Sequence, residues 1–257
     1  MSVKLQDLVN SLIQSAPSTE LSKVVENLRV ISNASKSTLE DAITQYINGH
    51  PIAISSYIIS KYNKDPVSSK YIDFVRGQKF NFDVVANDII DVESYDDGAS
   101  IDKKLASKLG QYGTDCYQDF SFTIIPESQD DAMRIIIIGQ KQNQSNFYTG
   151  VWKSEYYVKD SQITGEIALD IHYFEDGNVR LKYSNDDISG TVTDESSIVN
   201  FINKQETKIE TKLVDQFQML NQQSFKKLRR LLPITRSKIN WGNAIGNYRL
   251  GSDVVKK

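Results

Sequence analysis

Two histidines, His50 and His172, and one cysteine, Cys116, are the side chains of this 257-residue sequence best suited to proton transfer or nucleophilic attack. His172 closely precedes Glu175 and Asp176, so an acid–base site can be drawn there. The plainer reading is a strand histidine beside an acidic turn. Cys116 needs a nearby base to act as a nucleophile, and a packed core thiol is the commoner case. A lone cysteine also excludes an internal disulfide and a cysteine-based zinc site. No histidine-rich or paired-cysteine spacing points to a transition metal. The sequence contains no Walker A loop, dinucleotide fingerprint, Gly-x-Ser-x-Gly or His-Glu-x-x-His. Asp176-Gly177-Asn178 is too short for a calcium loop and suits a turn. No catalytic residue, metal ligand or cofactor site is assigned, and the chain reads as a non-enzyme.

A second constellation lies at the other end. The formal net charge is −3, yet residues 226–257 hold nine basic side chains against one acid, Asp253. That segment is therefore +8 and residues 1–225 are −11. Lys226, Lys227, Arg229, Arg230, Arg236 and Lys238 could track phosphates while Trp241 stacks on a base. They could also attract anionic lipid or an acidic protein surface. The acidic body opposes a long polyanion, no nucleic-acid recognition signature is present, and no nucleic-acid partner is expected. Trp241, Ile245 and Tyr248 fall at i, i+4 and i+7, the spacing of a short amphipathic helix. Gly242, Gly246 and Gly251 weaken it by about 1 kcal/mol each relative to alanine. Such a tail suits ordering on a partner and is equally compatible with a frayed terminus.

Stepwise hydrophobic periodicity outlines the elements that must carry these residues. Hydrophobic residues make up 39% and charged ones 25%, as in soluble globular proteins. Met1–Ile13 lacks a signal-peptide pattern and the longest apolar run, Ile135–Ile138, suits a buried strand, so a cytoplasmic protein is expected. Three helical stripes come first: Leu5, Leu8, Val9, Leu12 and Ile13, ended by Pro17; Leu21, Val24, Val25, Leu28 and Ile31, capped by Ser18 or Thr19; and Leu39, Ile43, Tyr46 and Ile47, opened by a Thr38–Asp41 capping box. Ile52–Ile59 and Phe80–Val85 read as strands, Asp91–Ser100 as an acidic loop, and Lys103–Leu109 as a short helix. Five strands follow, Tyr117–Ile125, Ala132–Gln140, Gly150–Val158, Ile163–Phe174 and Val179–Tyr183, joined by short turns into an antiparallel meander. A single helix from Glu195 to Leu232 carries Ile198, Ile202, Ile209, Leu213, Phe217, Leu220, Leu228 and Leu231, with a gap near Gln205, and Pro233 stops it. At about 1.5 Å per residue it is roughly 55 Å long, against roughly 24 Å for five strands. The excess stripe calls for a further cover, a partner subunit or the N-terminal helices. The fold class is α+β: helices over 1–48, a small mixed subdomain over 49–113, the antiparallel sheet over 114–190, the long helix over 191–233 and a basic tail over 234–257.

Three segments of the chain resemble the alpha subunit of the actin capping protein family. Residues 146–155, Asn-Phe-Tyr-Thr-Gly-Val-Trp-Lys-Ser-Glu, are similar to the family's Asn-Phe-x-x-Gly-x-Trp-x-Ser-Glu run. Residues 172–179, His-Tyr-Phe-Glu-Asp-Gly-Asn-Val, match its hairpin almost residue for residue. Residues 228–241 resemble its Leu-Arg-Arg-x-Leu-Pro-(Val/Ile)-Thr-Arg-x-Lys-Ile-x-Trp. The family often has tryptophan where Tyr156 stands and aspartate where Asn240 stands. The resemblance implies an obligate heterodimer with a capping protein beta subunit, the two meanders joining into one sheet under long helices, with the N-terminal helices as a stalk. It implies binding to the actin filament barbed end in the cytoplasm and cytoskeleton, at cortical structures. Lys226, Arg230 and Arg236 match the family's key actin-contacting residues; Lys227, Arg229 and Lys238 are their neighbours, with Trp241, Ile245 and Tyr248 supplying tail contact. Phosphoinositides, which inhibit the family, would compete for the same basic surface.

Overall fold

The computed structural model describes residues 4–16, 21–32, 35–83, 86–96, 102–127, 132–174, 179–220 and 222. Helices α1 (Leu5–Ser15), α2 (Leu21–Ser32) and α3 (Lys36–Gly49) form the stalk. Val9, Ile13, Leu21, Val25, Leu39, Ile43, Tyr46 and Ile47 make its core, and the buried Tyr46 hydroxyl donates to the Ala16 carbonyl at 3.1 Å. The α3 cap differs from the expected Thr38–Asp41 box. Ser35 holds the extended backbone of an N-cap and accepts from the Thr38 N–H at 3.2 Å, so the helix begins three residues earlier. The apolar stripes are only half used within the chain, since Leu5, Leu8, Leu12 and Ile31 stay exposed. The Ser18/Thr19 cap lies outside the described residues.

The middle of the chain departs most from the expectation. Ile52–Ile59 is not one strand but a hairpin, β1 (Ile52–Ile54) and β2 (Tyr57–Ile59). It turns at Ser55 and Ser56, both at positive φ (48° and 70°), as a two-residue primed turn requires. A three-stranded sheet follows, β3 (Tyr71–Asp73), β4 (Gln78–Asp83) and β5 (Asp88–Ser94). The last lies largely in the segment read as an acidic loop. Its side chains are almost all exposed, so it carries no hydrophobic alternation to betray it. Phe80 and Tyr71 join the stalk core, whereas Ile58 and Phe74 pack on Ile125, Ile136 and Ile138 of the large sheet. The small sheets thus bridge stalk and main sheet.

Helix α4 (Lys103–Cys116) runs seven residues beyond the expected Leu109 and makes Tyr117 its C-cap rather than a strand residue. Asp102 caps it, accepting from the Lys104 N–H at 2.8 Å and the Leu105 N–H at 3.3 Å. Five antiparallel strands follow in meander order: β6 (Asp119–Pro126), β7 (Met133–Asn143), β8 (Tyr148–Lys159), β9 (Gln162–Tyr173) and β10 (Val179–Thr191). β10 extends eight residues past the expected Tyr183, through the polar Ser184–Asp187 stretch and a register shift between Asn185 and Ile188. Period-two alternation divides the sheet into two faces. Tyr148, Trp152 and Tyr156 of β8 with Ile163, Ile167 and Ile171 of β9 are buried on the inner face. α4 and α5 (Glu195–Met219) cover that face, α5 opening on a capping box between Asp194 and Ser197.

Gly165 lies where two strands and a ring leave no room. A Cβ there would meet a Tyr156 ring carbon at 2.5 Å and the Glu155 carbonyl oxygen at 2.7 Å. Gly165→Ala is expected to cost about 1–3 kcal/mol by forcing β8 and β9 apart. Gly49→Ala, with nothing within 4 Å of the new methyl, should not destabilise. Thermal melts of the two variants side by side check the difference.

Candidate functional site

The described length of α5 turns one continuous face to the protein: Ile198, Ile202, Glu206, Ile209, Leu213 and Phe217, each buried. The gap that the sequence pattern leaves near Gln205 is occupied by Glu206, which is 0% exposed. Its Oε2 accepts from the Tyr112 hydroxyl at 2.6 Å, the Tyr117 hydroxyl at 2.5 Å and the Lys141 ammonium at 2.9 Å. α4, the α4–β6 joint and β7 each send one of these groups. Lys141 also lies 4.3 Å from the Trp152 ring centroid and 4.5 Å from that of Tyr117. Burial, and then the neighbouring carboxylate, push both phenols well above their ordinary range, so they remain donors. Nearer the end of the helix the Tyr148 hydroxyl donates to Glu210 at 2.7 Å. Phe217 stacks on Tyr173 with centroids 4.4 Å apart and planes 9° from parallel.

These contacts define how far the chain covers its own helix stripe. The stripe from Ile198 to Phe217 is 0–5% exposed without any second chain, so this chain's own sheet and α4 cover it. The expected excess of stripe, at Leu228 and Leu231, lies outside the described residues. Leu220 keeps helical dihedrals of φ −57° and ψ −49°. The expected helix end with Leu228, Leu231 and Pro233 lies outside the described residues. So do all the expected contact residues: Lys226, Lys227, Arg229, Arg230, Arg236, Lys238, Trp241, Ile245 and Tyr248. The structure therefore describes the platform that leads to them. Glu206 and Lys141 escaped the sequence reading, although Glu206 stands four residues after Ile202 and three before Ile209, on the apolar stripe itself.

The residues considered for chemistry are scattered. His172 is exposed on the outer face of β9, opposite Thr149 and Arg180 in register. His50 is the C-cap of α3, its ring 5.1 Å from that of Tyr46. Cys116 ends α4 partly buried, and burial raises its thiol pKa although Lys141 pulls the other way. Among the described residues no cluster of three His, Cys, Asp or Glu side chains could hold a metal ion.

The chain matches the F-actin capping protein alpha subunit family over residues 9–253. The F-actin-capping protein subunit alpha of Candida albicans is 52% identical, the similarity covering 100% of both chains. That of Debaryomyces hansenii is 50% identical over 99% of this chain and 98% of its own. This chain belongs to the F-actin capping protein alpha subunit family. A solved structure of a homodimeric actin capping protein alpha subunit from Plasmodium berghei has the same fold, with a TM-score of 0.67 at 21% identity. It covers 89% of this chain and 96% of that one. The three segments that carry the sequence resemblance all lie inside the span matched to the family.

For this capping-protein alpha chain, the seat of α5 makes a testable claim. Removing one partner of a buried ion pair leaves the other uncompensated, so Glu206→Ala is expected to cost about 3–5 kcal/mol. Glu206→Gln keeps an acceptor for the two phenols and should cost less. Chemical denaturation followed by far-ultraviolet circular dichroism checks this. A Glu206→Ala protein as stable as the parent would show that the carboxylate does not hold the helix.

Proposed function

We propose that this chain is the alpha subunit of a heterodimeric actin capping protein, which binds filament barbed ends and blocks subunit gain and loss without catalysing a reaction. The observation that carries this reading is similarity to curated F-actin-capping alpha subunits at 50–52% identity along essentially the whole chain. Its place is the cytoskeleton, at cortical actin. Lys226, Arg230 and Arg236 contact acidic actin surfaces, with Lys227, Arg229 and Lys238 beside them. Trp241, Ile245 and Tyr248 add apolar contact from the tail. Phosphoinositides inhibit by competing for that basic surface.

The partner is a capping protein beta subunit, and two features of the fold favour such a partner. Among the described residues the 13-residue strand β10 pairs with β9 alone, and a long unpaired edge is a template for another strand. The opposite edge, β6, is flanked by β2 and α4. Leu5, Leu8 and Leu12 of α1 and Val30 and Ile31 of α2 are exposed, and large apolar side chains left in solvent favour an interface. The Plasmodium berghei relative is described as homodimeric, which makes a second alpha chain the competing assembly.

Expressed alone, the chain is expected to be insoluble or molten, and co-expression with a capping beta subunit should rescue it at fixed stoichiometry. A well-behaved alpha-only dimer on gel filtration that slows seeded actin elongation would favour the homodimer instead.

The charge assignment has its own test. Truncating one partner of a buried interfacial charge pair costs about 2–5 kcal/mol. Lys226→Ala, Arg230→Ala and Arg236→Ala together should therefore lower barbed-end affinity by orders of magnitude and flatten its salt dependence. Deleting residues from Ile239 onward should mainly speed dissociation, because the steering charges remain. Seeded elongation at several salt concentrations separates the two. A triple variant that caps normally beside a truncation that cannot associate would reverse the roles.

A further inference from the structure

We propose that the crevice between the outer face of the large sheet and the ends of α1 and α3 binds a small phosphate-class oxyanion. The crevice has a volume of about 300 Å³ and is lined by Gln14, Tyr46, His50, Lys153, Lys182 and Ser184, among others. Its size is at the lower end of small-ligand sites.

The charges facing it do not cancel. Asp170 of β9 is the acid in its lining, and Arg180 of β10 takes both of its oxygens, Nε to Oδ1 at 2.8 Å and Nη2 to Oδ2 at 3.2 Å. Lys182 of β10 is in register with Asp170, and Lys153 of β8 projects from the same face. Among the described residues neither lysine has an acid within ion-pair distance. α3 contributes His50 and Tyr46, β10 adds Tyr183, and α1 adds the uncharged Gln14. Two of these are committed to the wall: the Tyr46 hydroxyl donates to Ala16, and the Gln14 amide to the Ala42 carbonyl. The Lys153 ammonium lies 5.9 Å from the Tyr46 ring centroid, and with Lys182 and His50 it lines the crevice.

Their mutual strain agrees with this geometry. Burial takes Lys153 down to about 8, Asp170 restraining the fall and Lys182 adding to it. Burial, then Lys153 and Lys182, lower His50 as well. An oxyanion with several oxygens would relieve Lys153 and His50 at once, since opposite charge favours their protonated forms. A tetrahedral oxyanion presents acceptors outside the single plane to which a carboxylate is confined, which suits donors set on β8, β10 and the end of α3. This site is separate from the basic C-terminal segment, and its test does not depend on actin.

The full chain, co-expressed with a capping beta subunit or alone if stable alone, is titrated with inorganic phosphate. The His50 imidazole signal, assigned by its loss in His50→Gln, is followed by nuclear magnetic resonance. Phosphate should raise the His50 pKa saturably. Lys153→Met with Lys182→Met should weaken binding at least tenfold, while Lys153→Arg with Lys182→Arg retains it. Corrected for the further ionisation of phosphate over this range, binding of the dianion should fall at least fivefold between about pH 7.5 and about pH 9.5, as Lys153 loses its proton. Displacement of phosphate by phosphatidylcholine vesicles bearing phosphatidylinositol bisphosphate would identify a lipid headgroup as the source; phosphate binding unaffected by those vesicles would identify a free anion. A non-saturating shift, or an equal one in the Met double variant, overturns the site.

Discussion

A carboxylate shut away from water has to be met by donors, and that requirement at Glu206 organises the layer of helices over the sheet. Tyr112, Tyr117 and Lys141 come from different elements and converge on one oxygen. A buried ion pair adds little net stability compared with well-packed apolar groups. Its effect is on register. Sliding α5 by one turn would bring Ile202 or Ile209 opposite Lys141 and leave a cation without its counter-charge in the core. Apolar contacts alone would tolerate such a slip, because Ile202, Ile209 and Leu213 are nearly interchangeable in shape and spacing. The direction in which the chain leaves α5 is therefore tied to one polar contact near the middle of the helix.

The two faces of the meander obey different rules. The inner face is aromatic and aliphatic, with Trp152, Tyr156, Tyr148 and Tyr173 filling the space beneath α4 and α5. The outer face is mixed. Ile125, Ile136 and Ile138 accept the small hairpin and Phe74 at one end. Toward β10 the same face carries Lys153, Asp170, Arg180 and Lys182. Arg134 links both regimes, pairing with Glu155 at 2.5 Å and with Glu127 at 3.1 Å while its guanidinium lies 3.9 Å from the Tyr62 ring centroid. One face thus holds helices by shape, and the other meets the small hairpin and Phe74 through apolar contacts at one end and carries charged side chains at the other.

Where burial alternates strictly, the sequence was legible. Tyr148, Trp152 and Tyr156 recur on one face of β8, and Leu39, Ile43, Tyr46 and Ile47 on one face of α3; both elements appear where periodicity places them. β5 and the far half of β10 were missed for the opposite reason. An edge strand with few buried side chains is held by backbone hydrogen bonds, which leave no trace in side-chain pattern. The hairpin at Ser55–Ser56 lacks the Asn-Gly or Asp-Gly pair that announces a primed turn. Serine adopts positive φ there under the pull of the flanking strands. Glu206 was hidden because an acid on an apolar stripe looks like an interruption, and its compensating lysine lies 65 residues upstream. The family resemblance, by contrast, was readable in three short runs whose residues include the buried Tyr148, Trp152 and Tyr173.

The partners of Glu206 stand 94, 89 and 65 residues earlier in the chain. Contacts of such long separation close late, since the intervening loop must be organised before they yield any gain. β6 through β10 separate Tyr117 from α5, so the meander has to be complete before the carboxylate can find its three donors. By that order the sheet and α4 would form first, as a receptor for the helix. Docking of α5 then acts as a final check on the order of the strands beneath it: a meander paired one residue out of step would turn Lys141 to the wrong face, and the acid would find no seat.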